Sequence, residues 1–260
     1  MGLGTAAIRA GAASDVGRAR ESNEDTALMS SGVFAVADGM GGHAAGEVAS
    51  ALAVARLEKL GGRPDVTADQ VRAALLAANA DILAEAERNP EWAGMGTTAA
   101  GIARVVVAGS AHWAVFNVGD SRVYRFADGE LVQLTADHSQ VAELLAAGEI
   151  TPAEAVGHPL QNVLTRALGM DPAPEPDLWV FPPTPGERFL MCSDGLPLEL
   201  ADEELAPVLR RQADARRAAA ELVRLAVRAG GRDNVTAVVV DYMPDTDSEV
   251  DGDTTPRPAP

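Results

Sequence analysis

Four acids stand at the ends of apolar runs, and their placement suggests what chemistry this chain could do. Val33-Phe34-Ala35-Val36-Ala37 stops at Asp38, which is followed by Gly39, Gly41 and Gly42. A five-residue apolar run reads as a strand covered on both faces. An acid where such a strand leaves the core is costly unless a cation or a hydrogen-bond donor meets it. A capped turn would account for any one of these acids, because Asp-Gly is a common turn sequence. The pattern recurs, however. Phe189-Leu190-Met191-Cys192-Ser193 ends at Asp194-Gly195, and the run from Trp113 to Val118 ends at Gly119-Asp120. Asp233 sits at the opposite end of its run, just before Val235-Thr236-Ala237-Val238-Val239-Val240. If this last strand is antiparallel to the others, the four carboxylates meet at one edge of the fold. Oxygen donors without a histidine or thiolate cluster suit Mg²⁺ or Mn²⁺ rather than zinc.

Composition narrows the classes further. The 260 residues carry 38 acids against 21 bases, a formal charge of -17. Such a field repels nucleic acid and anionic lipid, so neither is an expected partner. Lys59 is the only lysine, and it follows no glycine-rich loop. A Walker-type nucleotide site, a protein kinase and a Schiff-base enzyme each need a placed lysine, so all three are excluded. No apolar run approaches the ~20 residues of a membrane span. The opening Met1-Gly2-Leu3-Gly4-Thr5 lacks the basic and apolar regions of a signal peptide. With a single cysteine, Cys192, the expectation is a cytoplasmic protein in a reducing compartment.

The elements that must position the acids follow from hydrophobic periodicity and breakers. Strands are expected over 6–17, 26–30, 33–37, 99–107, 113–118, 121–126, 130–134, 177–181, 187–192 and 235–241. Helices are expected over 46–60, 67–88, 139–147, 201–211 and 214–229, the second opened by the capping box Thr67-Ala68-Asp69-Gln70. Strands and helices come in neighbouring pairs without βαβ alternation. That pattern predicts an α+β layered fold with antiparallel sheets. Residues 148–169, with Pro152 and Pro159, read as a flap outside the core. The acidic, proline-rich stretch 244–260 reads as a disordered tail after a domain over 1–243.

Taken together, the short motifs name a family. Ser14-Asp15-x-Gly17-x-x-Arg20-x-x-Asn23-Glu24-Asp25, Ala37-Asp38-Gly39-Met40-Gly41-Gly42, Gly96-Thr97-Thr98, Val118-Gly119-Asp120-Ser121-Arg122, Cys192-Ser193-Asp194-Gly195-Leu196 and Gly230-Gly231-x-Asp233-Asn234-Val235-Thr236 occur in this order. The set resembles the bacterial branch of the metal-dependent, type 2C protein serine/threonine phosphatases and spans residues 14–241. The resemblance implies an α-β-β-α sandwich of two antiparallel sheets flanked by helix pairs. It implies two Mn²⁺ or Mg²⁺ ions, with a third as an option, and hydrolysis of phosphoserine and phosphothreonine by a water that bridges the metals. Carried over by residue, Asp38 would be the shared ligand, the Gly39 carbonyl a ligand of one metal, and Asp194 and Asp233 ligands of the other. Glu24 would hold a metal-bound water, Asp120 would support the weaker third ion and Arg20 would anchor phosphate. The implied partners are phosphorylated proteins, including a Ser/Thr kinase that the enzyme opposes. A monomer is expected.

The residues were also weighed for other roles. Arg20 could instead be a solvated partner of Glu21 or Glu24, and Arg18 reads as solvated. Cys192 lacks the arginine six positions on that a cysteine phosphatase needs, Leu198 standing there, so it reads as a small buried residue. Eukaryotic relatives carry His directly after Asp-Gly, where this chain has Met40. His43 lies at a helix start, where the dipole opposes an acid role. That leaves protonation of the leaving group to water. His112, His138 and His158 read as ordinary loop or cap residues. Pro197 and Leu198 depart from the polar or acidic residues more usual there. Two rival classes are a catalytically silent binding module, marked by loss of Asp38, Asp194 or Asp233, and a metal-dependent hydrolase of small phosphorylated molecules. No such loss is present.

Overall fold

The computed structural model describes residues 7–42 and 45–243. Eleven strands among these residues form two antiparallel sheets. One sheet runs β1 (Ala7–Asp15), β11 (Val235–Met243), β10 (Arg188–Cys192), β7 (Arg122–Ala127), β8 (Glu130–Gln133). The other runs β2 (Asp25–Ser30), β3 (Val33–Met40), β5 (Ala99–Val107), β6 (Ser110–Val118), β9 (Asp177–Phe181), with the two-residue β4 (Gly96–Thr97) paired to the end of β3. Because β11 pairs antiparallel with β10, the condition for the acids to converge is met.

Period-2 alternation divides each strand between two cores. On β3, Phe34 and Val36 face the other sheet, while Val33, Ala35 and Ala37 face helices. The layer between the sheets is closed by Ile102, Trp113, Val115, Val123, Phe189, Met191, Val238 and Val240, with Trp113 edge-on to Phe189 at 5.6 Å. Helices α1 (Ala45–Glu58) and α2 (Ala68–Arg88) cover the outer face of the second sheet. Helices α5 (Asp202–Arg211) and α6 (Ala215–Ala229) cover that of the first. The result is the α-β-β-α sandwich. Helix α2 starts at the expected capping box, Thr67 accepting from the Gln70 amide at 3.3 Å.

Three expectations change in detail. Strand β3 does not stop at Ala37; the ladder continues, Asp38 opposite Asp25 and Gly39 opposite Thr97, because residues 25 and 96–97 supply partners on both sides. Helix α3 (Gln140–Ala146) forms where a helix was expected, and the flap after it holds more order than expected: the single turn α4 (Pro152–Ala155) precedes two bridges, Ser139 with Leu164 and Thr97 with Leu168, that tie it to the body. His138 is buried rather than an ordinary loop residue. Its Nδ1 accepts from the Gly119 amide at 3.1 Å, and its Nε2 lies 3.1 Å from Asp177 Oδ2. Residues 244–260 and His43 lie outside the described residues. No helix among the described residues is long and apolar enough to cross a membrane.

Candidate metal centre

The same alternation that fills the inter-sheet layer with Phe34 and Val36 places the next residue in phase, Asp38, at the end of that layer. Neighbouring strands change character at the same level. Met191 gives way to Ser193, Val238 to Thr236, Ala100 to Thr98 and Val123 to Ser121. These hydroxyls are buried and close on one another: Thr98 Oγ1 lies 2.7 Å from Ser121 Oγ, Ser193 Oγ accepts from the Thr236 amide at 3.0 Å, and the Asp38 amide donates to Thr98 Oγ1 at 2.9 Å. A polar floor thus replaces the apolar layer.

Above this floor opens a cleft of about 180 Å³. It is lined by Arg20, Glu24, Asp38, Gly39, Asp120, Asp194 and Asp233, all seven residues singled out in the sequence. Close approach of backbone shapes it. A Cβ on Gly39 would fall 2.0 Å from the Gly46 carbonyl oxygen, so only glycine lets the first turn of α1 lie against the strand end. Gly119, at φ +106°, turns the chain after β6 so that Asp120 lies at the cleft; a Cβ there would meet Thr98 as well.

The loop carrying Arg20 and Glu24 is fastened to the start of β11 by Asn234. Its Nδ2 donates to the Val16 carbonyl at 3.0 Å and the Ser22 carbonyl at 2.9 Å, and its Oδ1 accepts from the Glu24 amide at 2.8 Å. Arg20 Nη2 then reaches Asp233 Oδ2 at 2.7 Å. The partner of Arg20 is therefore Asp233, not Glu21 or Glu24. Arg18 is exposed, as expected.

The electrostatics are those of crowded acids. Desolvation, then Asp25, Asp194 and Asp120, hold the Asp38 carboxyl well above the usual carboxylate range. Asp194 is raised by desolvation and by Asp233, and its carboxyl is within hydrogen-bond reach of that of Asp38. Asp120 is pushed up to about 8 by desolvation and then by Asp194. Glu24 is raised chiefly by desolvation. Cys192 is buried and pushed up to about 12 by that burial, which removes it as a nucleophile.

Asp25, the last residue of the first motif, belongs to this group. It faces Asp38 across the β2–β3 ladder, its Oδ2 accepts from Ser193 Oγ at 2.7 Å, and desolvation pushes it up to about 7. Its Oδ1 is enclosed with no hydrogen-bond partner. Asn162 and Leu164, from the flap, also line the cleft. The signal for Asp25 is its phase with Ala27 on β2; the flap residues have no periodic signal.

The donor set fits hard divalent cations. Several carboxylates carry mutual repulsion that cations relieve, one carboxylate oxygen is enclosed and unpartnered, and among the described residues no imidazole or thiol lines the cleft. Among the described residues no three carboxylate, imidazole or thiol groups already form a closed cage. That agrees with ions that take part of their shell from carbonyls and water.

A two-sheet α-β-β-α sandwich with an acidic cleft at one end of its inter-sheet layer defines the class. Within that class, the chain belongs to the protein phosphatase 2C family, which residues 18–227 match. It is 42% identical over 244 residues to the serine/threonine protein phosphatase PstP of Mycobacterium tuberculosis, covering 92% of this chain and 46% of that protein. The chain thus spans about half the length of that relative. To the serine/threonine phosphatase stp of Listeria monocytogenes it is 37% identical over 238 residues, 87% of this chain and 93% of the other. Among solved structures, the catalytic domain of PstP in complex with two manganese ions superposes with a TM-score of 0.84 at 40% identity, covering 92% of this chain and all of that one.

Proposed function

We propose that this chain is a Mn²⁺- or Mg²⁺-dependent phosphatase that hydrolyses phosphoserine and phosphothreonine on proteins. The observation that carries this reading is the convergence of Asp38, Asp120, Asp194 and Asp233 with Arg20 in one cleft. Asp38 would be the ligand shared by two ions, with the Gly39 carbonyl completing one site and Asp194 and Asp233 the other. When bound, the two cations supply Lewis-acid activation of an attacking water placed between them and neutralise charge around the phosphorus. Glu24, raised in pKa beside them, would accept a hydrogen bond from a water of that shell. The reading extends to one catalytic domain over 1–243, a cytoplasmic monomer and a protein kinase as the opposing activity. Release of phosphate from a phosphopeptide panel with Mn²⁺, with Mg²⁺ and with chelator tests it. Metal-dependent release on phosphoserine and phosphothreonine peptides supports the reading; release indifferent to chelator refutes it.

Arg20 would hold two phosphate oxygens, since a guanidinium keeps further donors after pairing with Asp233. Arg20→Lys keeps the charge and loses the planar fork, so substrate binding weakens by about 1–3 kcal/mol. The loss is expected in KM for a phosphothreonine peptide and in inhibition by free phosphate. If both stay at wild-type values, Arg20 does not hold phosphate.

Asp120 lines the cleft with Asp194, whose charge helps to raise it, which suits a third, weaker ion. Asp120→Ala is expected to spare the tight metals and to shift the Mn²⁺ concentration that supports half-maximal turnover upward. Calorimetry that finds a tight site missing in this variant overturns the assignment.

A further inference from the structure

The cleft continues into a larger groove of about 470 Å³, which shares Asp120, Asn162 and Asp194 with it. One wall of the groove is formed by α3, with Val141 and Leu145, and by the flap, with Val156 just after α4. The other is the segment after β10, with Pro197 and Leu198. Val156 is 84% exposed, an apolar side chain at a groove edge with little protein against it.

Besides Asp120 and Asp194, which belong to the cleft, the charged groups that line the groove are held in ion pairs. Arg122 holds Asp137 through Nε and through Nη2 at 2.7 Å, and Arg232 Nε holds Glu199 Oε1 at 2.9 Å. No lysine is available, and the chain's acidic surplus opposes a further acid. Beside these polar groups the groove offers a ligand apolar contact at Val141, Leu145, Val156, Pro197 and Leu198. A phosphorylated residue in the cleft places its chain neighbours at this opening, since an extended peptide advances only about 3.3 Å per residue.

We propose that the groove seats an apolar side chain of the substrate protein within two positions of the phosphorylated residue and disfavours an acidic one there. This rests on the phosphatase reading and adds a sequence preference to it. An alternative occupant, a small phosphorylated molecule, would use the cleft alone and leave no preference.

The test uses three phosphothreonine peptides that differ only in the residues flanking the phosphothreonine, which are Leu, Ser or Asp, together with p-nitrophenyl phosphate. Saturating Mn²⁺ and the full chain are used throughout. The Leu peptide is expected to exceed the Asp peptide by about tenfold in kcat/KM, with Ser between them. In Val156→Lys the Leu-to-Asp ratio is expected to fall severalfold, because a cation now meets the acidic flank. The ratio is taken within one preparation, so a change in folded fraction cancels. Equal kcat/KM for the three peptides in the wild type, or an unchanged ratio in Val156→Lys, overturns the proposal. If p-nitrophenyl phosphate is cleaved while the peptides show no preference, the groove proposal alone fails. If nothing is cleaved, the phosphatase reading fails with it.

Discussion

Asp38→Asn is expected to lower kcat/KM on a phosphothreonine peptide by about 10³-fold or more and to leave the metal-free domain at least as stable as the wild type. The two halves of this result have one cause. Asp38 is flanked by Asp25, Asp194 and Asp120, and its carboxyl is held far above the ordinary range by desolvation and by that crowding. In the absence of cations such a group is a liability to the fold, and an amide of the same shape removes the charge without opening a cavity. In their presence the same carboxylate would be the donor shared by both ions on the proposed reading, so the amide is expected to lose the reaction. An ordinary structural acid shows the opposite pairing, with activity modestly affected and stability reduced. Steady-state kinetics at saturating Mn²⁺ and thermal midpoints in chelator read the two halves separately. Near-wild-type turnover in Asp38→Asn would remove the shared-ligand reading.

The second large effect is on the pH dependence of the metal-free protein. In an unfolded chain these carboxylates titrate near pH 4, whereas in the fold Asp25 titrates at about 7 and Asp120 at about 8. Asp38 and Asp194 are raised as well. Between those limits the folded protein binds more protons than the unfolded chain, so its stability falls as pH rises. The stabilisation is fully present below about pH 4 and is lost through about pH 8. Other acids act in reverse. Glu199, Glu221 and Asp177, hydrogen-bonded to arginines, are lowered, and their contribution is lost only as the solution becomes more acidic than their unfolded values. The window from pH 5 to pH 8 therefore lies above the range in which these lowered acids titrate. In chelator the thermal midpoint should fall across this window, and the fall should be shallower in Asp120→Asn. Saturating Mn²⁺ should raise the midpoint most at the alkaline end, where the carboxylates are charged. A midpoint that rises from pH 5 to pH 8 in chelator would mean that the cleft acids are not repelling one another.

Where the sequence was legible, a local rule sufficed. Apolar runs ending in Asp120 and Asp194 gave strand ends, the run before Asp38 gave the buried part of β3, and the single condition that β11 be antiparallel brought Asp233 to the same edge. The paired helices and paired strands gave the layers for the same reason: each element carries its own periodicity. What was not legible depends on contacts between distant residues. Arg20 meets Asp233 across 213 positions, which no local pattern around Arg20 announces. Asp25 becomes part of the site only through the register of β2 on β3, and a slip of one residue would have turned it to the other face. His138 looks like a loop residue beside a helix cap; it is buried because Asp177, from another sheet edge, reaches its ring. Asn162 comes from the flap, whose irregular backbone has no period to read.

The central claim is that this group of carboxylates holds divalent cations through Asp38. Calorimetric titration of Mn²⁺ into the metal-free wild type and into Asp38→Asn, at one pH and one ionic strength, tests it most directly. The account predicts about two tight equivalents in the wild type, with tight binding lost in Asp38→Asn while its circular dichroism stays native. Equal stoichiometry and affinity in the two proteins would contradict it.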